Sequence, residues 1–317
     1  MFRRNFVPIL ILLLICIFIV KPATVSEGAF NGLKIWVKNI VPFLFPMSVL
    51  SNILLQYNFL YSLFERLDFI SVKILKSKYA FIPFFISLVS GYPSGAMTVN
   101  TMIGCRRISQ NEANYLTVIA NDCSFQFIAG AISFSMLGNL QLYKYIAIPH
   151  IAGAVLLSLL IRKEESSLSS PKIVKLKLVP FHTAFNLAIY KSVKGILTVG
   201  GVIVIFSVFS NFLNNSLSAA ANAFSLSAGM KDIIFSLLTG SLEMTNGCSI
   251  AASSAHVPLE IKLIIINFLI SFSGMSVIFQ TIAVISEFDL NIKNYIFYKF
   301  IHGVISAFLC IILFALI

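Results

Sequence analysis

At 317 residues, with 58% hydrophobic and 11% charged side chains and 30 Phe, the chain has too little polar surface to cover a water-soluble fold. A mean hydropathy of +0.93 points instead to an all-α polytopic membrane protein in a lipid bilayer. The net charge of +11 lies in short loops between apolar runs, where it reports topology rather than nucleic-acid binding.

Arg3 and Arg4 precede an apolar run from Phe6 to Val20, followed by Lys21 and Pro22. This pattern fits a signal peptide or a short first transmembrane helix, and the helix is expected because no small-x-small cleavage pattern follows. A second span, Ile35 to Leu55, carries Pro42 and Pro46 and is expected to kink. The stretch from Gln56 to Tyr79 is amphipathic and basic, as an interfacial segment would be.

The next apolar stretch, Phe81 to Gly104, is interrupted by Ser90-Gly91-Tyr92-Pro93-Ser94-Gly95. It is either one kinked crossing or two half-helices of about 15 Å each that reach mid-membrane and return. A span from Tyr115 to Phe134 contains Asn121-Asp122-Cys123-Ser124, and another runs from Tyr145 to Ile161. Arg162 to Lys194 is basic and Ser-rich and reads as a linker.

A span from Gly195 to Leu213 follows, then an uncharged loop from Asn214 to Gly229. Ile233 to Ala252 is interrupted by Gly240-Ser241-Leu242-Glu243-Met244-Thr245-Asn246-Gly247, and Leu263 to Val284 by Ser271-Phe272-Ser273-Gly274. The last span is Phe297 to Ile317. The domain reading is therefore an N-terminal helix (1–33), a first membrane repeat (34–161), a basic cytoplasmic linker (162–194) and a second repeat (195–317).

The halves share one plan, and Gly91 to Ser241 and Asn121 to Ser271 are both separations of 150 residues. Paired broken segments in corresponding halves point to a transporter site. If both interrupted segments are re-entrant hairpins and the N terminus is cytoplasmic, only Lys21, Lys34, Lys38, Lys144, Lys231 and Lys262 of the 23 Lys and Arg fall outside. The positive-inside rule prefers this arrangement to full crossings. It makes one hairpin enter from each side, so the expected fold is an inverted-topology repeat, each half holding a re-entrant helical hairpin and broken transmembrane helices.

Asp122 and Glu243 are the two acids inside expected membrane segments. An unpaired carboxylate there costs at least about 2.5 to 3.5 kcal/mol. With no intramembrane Lys or Arg partner evident, each is a candidate to carry a proton or help bind a cation such as sodium; the alternative is a neutral acid bonded to hairpin backbone. Ser94, Gly95, Thr245 and Asn246 are expected to open or cap second half-helices whose free N–H groups suit an anionic or dipolar ligand. Asn121, Ser124, Gln126, Ser271, Ser273 and Gln280 either line the same cavity or bond helices together. The scattered cysteines, Cys16, Cys105, Cys123, Cys248 and Cys310, read as small buried side chains, and the four histidines as interfacial. No catalytic or metal box is found, so neither an enzyme nor a metal or cofactor is expected.

Ser90-Gly91-Tyr92-Pro93-Ser94-Gly95-Ala96, the VPFLFP span from Val41, and Leu242-Glu243-Met244-Thr245-Asn246-Gly247 together resemble the sporulation integral membrane protein family of the YlbJ type. That family belongs to the nucleoside-recognition or gate-domain group, which is similar to concentrative nucleoside transporters. The resemblance implies a multi-pass protein of the cell membrane, or of a membrane surrounding the developing spore, that moves a small molecule such as dipicolinic acid. Substrate contacts are then expected at Ser90 to Gly95 and Glu243 to Gly247, with Asn121, Ser273 and Gln280 beside them. The remaining choice is a non-transporting scaffold or signalling partner of spore assembly; oligomeric state, a homo-oligomer included, is left open.

Overall fold

The computed structural model describes residues 2–57, 59–161 and 180–316, all-helical and without a strand among them. Helix α1 (Phe2–Val20) stops where Pro22 opens α2 (Pro22–Ile35), since proline at the first helical turn gives up an N–H that had no partner anyway. One wide turn, Trp36–Ile40, joins α2 to α3 (Val41–Leu54). The Val41 N–H there donates to Trp36 C=O, five residues back. Pro42 lacks an N–H and its ring crowds the carbonyl four residues earlier, so the widening sits just before it.

The expected second span therefore begins at Pro22 rather than Ile35. The 33/34 boundary between the N-terminal helix and the first repeat consequently falls inside a continuous 33-residue stretch, Pro22–Leu54. Short helices α4 (Phe59–Glu65) and α5 (Asp68–Leu75) follow.

Helices α6 (Phe81–Ser90) and α7 (Ser94–Gly104) form the first hairpin. Its ends return together: Ser77, before α6, donates to Glu112 on α8 (Gln110–Ile119) at 2.5 Å. The chain then loses helical form through 120–124 and resumes in a wide-turn helix, Phe127–Met136, before α9 (Tyr143–Leu160).

The second half repeats this order. The expected linker and loop are corrected here: α10 runs from Phe181 to Ala223, so 181–194 and 214–223 are helical, while the rest of the linker, 162–179, lies outside the described residues. At 1.5 Å per residue α10 is about 65 Å long, well beyond a bilayer's roughly 30 Å hydrocarbon core. Helices α11 (Ala228–Leu242) and α12 (Met244–Ser253) form the second hairpin, closed at its base by Ser254 Oγ donating to Asp232 at 2.6 Å. A helix broken at Ser273, α13 (Leu259–Phe272) and α14 (Gly274–Val284), and the final α15 (Ile292–Ala315) complete the chain.

Among the described residues, five helical stretches are long and apolar enough to cross a membrane: Pro22–Leu54, Leu140–Leu160, Phe181–Ser218, Leu259–Val284 and Ile292–Ala315. Side chains such as Leu159, Leu197 and Phe308 are exposed on their outer faces, where lipid rather than water is the compatible neighbour. Two buried apolar clusters lie within, one around Phe127, Ile203, Cys248 and Leu269, the other around Leu88, Leu116, Ile278 and Tyr295. Each draws residues from both halves of the chain. Of the cysteines, Cys123, Cys248 and Cys310 are buried as expected, but Cys16 and Cys105 are exposed.

Candidate functional site

The first hairpin turns at Gly91, whose φ of +75° is open to glycine and strained for other residues. Tyr92 then extends inward, its hydroxyl donating to the Ile270 carbonyl. Beyond the turn α7 lies almost on the backbone of the broken segment: a Cβ on Gly95 would stand 1.8 Å from Ala120 O. That closeness lets Asn121 Oδ1 accept from the Ala96 N–H at 3.3 Å, while Asn121 Nδ2 donates to Thr281 Oγ1 and the Tyr295 hydroxyl, both at 2.9 Å.

The second hairpin turns at Glu243, an extended residue between α11 and α12. Its Oε2 accepts from the Asn246 N–H at 2.6 Å and so caps α12 with the protein's own carboxylate. The arms pack backbone to backbone, since a Cβ on Gly247 would meet Gly240 Cα at 2.3 Å. Ser276, on α14, lies beside the carboxylate, yet its hydroxyl lacks hydrogen-bond geometry to any partner.

The two tips meet. One buried cavity is lined by Gly91 and Tyr92 from the first tip, Glu243 and Thr245 from the second, Ser124 from one broken segment and Gln280 from the other. Ile40, Leu44, Phe127, Val199 and Ile203 form its apolar wall. About 30 Å3 is free for water-sized occupants, room for one or two waters, so a metabolite enters only if the tips part.

Behind the Tyr92 ring lies a buried charge chain that the sequence reading missed. Lys299, wholly buried on α15, donates to Asp122 Oδ1 at 2.9 Å and to Asn121 O at 3.0 Å. Its ammonium stands 5.9 Å from the centre of the Tyr92 ring. His302 Nε2 donates to the His150 carbonyl at 2.9 Å, leaving Nδ1 unprotonated 3.4 Å from Lys299 Nζ. His150 stacks on His302 with ring centres 5.1 Å apart. Because His150 Nε2 accepts from the Cys123 N–H at 3.2 Å, its proton sits on Nδ1, toward Ser271 Oγ at 2.7 Å. Asp122 Oδ1 also lies 3.6 Å from His302 Nδ1, and Oδ2 has no hydrogen-bond partner among the described residues.

Three expectations are corrected by this geometry. Asp122 has an intramembrane cation partner, Lys299, which is not a loop charge. His150 and His302 are paired in the core, not interfacial, whereas His182 and His256 are exposed. The N–H groups at the second half-helices are not all free: Asn121 accepts from Ala96 on α7, and Glu243 from Asn246 on α12. Ser94 opens α7 as expected, and Thr245 and Asn246 lie in the first turn of α12 with Glu243 as its cap.

Of the residues expected at the site, Gly91, Tyr92, Glu243, Thr245 and Gln280 line the cavity. Ser90 donates instead to Ser51 at 2.6 Å, Ser94 accepts from Thr98 through its carbonyl, and Ser273 donates to the Phe272 carbonyl. Pro93, Gly95 and Gly247 shape the turns, Asn121 braces the first hairpin, and Asn246 faces another cavity. A signal for Lys299 was present in the sequence: it follows Phe297-Tyr298 inside an apolar run, a costly place for an unpaired ammonium.

No family model matches the chain, and no solved structure matches it. Over 314 aligned residues, 90% of this chain and 76% of the relative, it is 29% identical to the sporulation integral membrane protein YlbJ of Bacillus subtilis (strain 168). That similarity supports the likeness to YlbJ-type sporulation membrane proteins carried by the motifs.

Proposed function

Taking the chain as a YlbJ-type integral membrane protein of sporulation, we propose that it is a secondary transporter of a small anionic or polar metabolite, dipicolinic acid being the leading candidate. The observation that carries this reading is the single cavity where both hairpin tips and both broken segments converge. In membranes, irregular backbone at depth is tolerated where it lines such a cavity, and paired broken elements mark midplane sites. The hairpins are re-entrant, one from each face, and alternating access parts one tip at a time.

Glu243 is the coupling acid. The cavity presents its carboxylate and no facing cation, so an anionic substrate fits beside it only after it takes a proton; like charges a few ångströms apart in low dielectric repel by several kcal/mol. Asp122 is held by Lys299 and acts as a fixed strut behind the site rather than as a second ion carrier.

The test is dipicolinate flux into vesicles reconstituted with wild-type or Glu243→Gln protein, measured across a pH series. Glutamine keeps an oxygen for the Asn246 N–H, so the fold is retained while the titrating group is lost. The expected result is wild-type flux that depends on the pH gradient and a variant without that dependence. Wild-type protein that moves no dipicolinate and is not thermally stabilised by it would leave the scaffold reading.

A further inference from the structure

A second, larger cavity of about 380 Å3 opens beside the midplane site. It is walled by α2 and its wide turn (Asn31, Lys34, Lys38), by α10 (Ser210) and by α12 (Asn246, Ser249). Helices α2 and α10 meet on Gly28 and Gly32, where a Cβ would stand 2.8 Å from Val208 Cα and 2.9 Å from Val204 Cα. This small-xxx-small contact fixes the cavity's first wall against its second.

The lining is cationic. Lys34 and Lys38, four residues apart, share a helix face where like charges repel, and neither forms an ion pair among the described residues. Glu27, a turn or more away, accepts from Asn211 Nδ2 at 3.3 Å instead. A second observation points to a ligand. Ser210 is among the residues lining the cavity, is 2% exposed, and its Oγ has no hydrogen-bond partner among the described residues, a state that buried hydroxyls rarely keep unless something else satisfies them.

We propose that this cavity is an anion-capture vestibule for a small dicarboxylate, with Lys34 and Lys38 holding the carboxylates and Ser210 donating to one of them. The first turn of α12 separates it from the midplane site: Glu243 and Thr245 face that site, whereas Asn246 faces the vestibule and donates to Ser207 Oγ at 2.9 Å. Parting Asn246 from Ser207 joins the two spaces. As a route to the midplane site the vestibule rests on the transporter reading; as a binding site it is measurable by itself.

Trp36, the one tryptophan in the chain, lies on the wide turn between Lys34 and Lys38 and donates to Ile196 O at 3.1 Å, so its fluorescence reports binding without any transport. Purified full-length protein in detergent is titrated with sodium dipicolinate, excited on the red edge of tryptophan absorption, with the neutral dicarboxamide analogue as control. The expected result is saturable quenching by the dianion alone, weakened by salt. Lys34→Gln/Lys38→Gln raises Kd by about tenfold or more, since both charges facing the dianion are lost, and Lys34→Arg/Lys38→Arg restores binding.

No saturable quenching in the wild type, equal binding of the dicarboxamide, or unchanged binding by the glutamine variant overturns the proposal, whatever vesicle flux shows. Lysine-dependent binding in a protein that moves no dipicolinate leaves the vestibule standing and removes the transporter reading.

Discussion

Lys299 and Asp122 carry the sharpest test of the buried geometry. In Lys299→Met, Asp122 Oδ1 loses an ammonium at 2.9 Å while Oδ2 has no partner to fall back on, and the carboxylate is only 1% exposed. Removing one member of such a pair costs about 3–5 kcal/mol, because the remaining charge is buried uncompensated. Asp122→Asn falls at the lower end of that range, since Lys299 keeps the Asn121 carbonyl at 3.0 Å. Asp122→Asn/Lys299→Met removes both charges and regains most of the loss, giving a coupling of at least about 2 kcal/mol in a double-mutant cycle. Unfolding midpoints in mixed detergent–SDS micelles measure all four proteins. Additive effects, or single variants within about 1 kcal/mol of wild type, would refute the claim that this pair is a strut.

Gly247→Val places carbon against Gly240 Cα and Ser236 O, contacts of 2.3 and 2.6 Å even for a Cβ alone. Both obstacles are backbone, so the arms must spread; a loss at or above the upper end of the usual 1–3 kcal/mol for overpacking is expected in the same unfolding assay. Topology is checked in a chain whose native cysteines are replaced by alanine. An impermeant maleimide is expected to label Ser225→Cys in intact cells but Arg106→Cys only after permeabilisation, and the reverse pattern would rule out the re-entrant arrangement.

The breaks were legible in the sequence because runs such as Gly91 to Gly95 and Glu243 to Gly247 put small and polar residues where an uninterrupted helix would be apolar. The ends of α10 and α2 were not legible. Both helices continue past their hydrophobic windows on polar faces, and tertiary packing of Gly28 and Gly32 on α10, rather than hydropathy, holds that surface together. Lys299 was misread for a related reason. It lies eight residues into α15, where it resembles a flanking cation, and the partner that makes its burial tolerable is 177 residues away. The histidines were hidden in the same way: His150 and His302 come from separate helices, and only packing stacks them.

The two hairpins are not equally bound to their surroundings. The first is tied to four neighbours: Ser90 to Ser51 on α3, Tyr92 to the Ile270 carbonyl on α13, Asn121 to the start of α7, and Asn100 to Ser286 and Glu287 after α14. Among the described residues the second is tied by side chains to two helices: Asn246 and Thr239 to Ser207 and Asn214 on α10, and the Ala252 carbonyl to Lys262 on α13. On the transporter reading proposed above, the second tip, held to α10 through Asn246, is the leaf that parts first, ahead of a first tip held by Ser90, Tyr92 and Asn121.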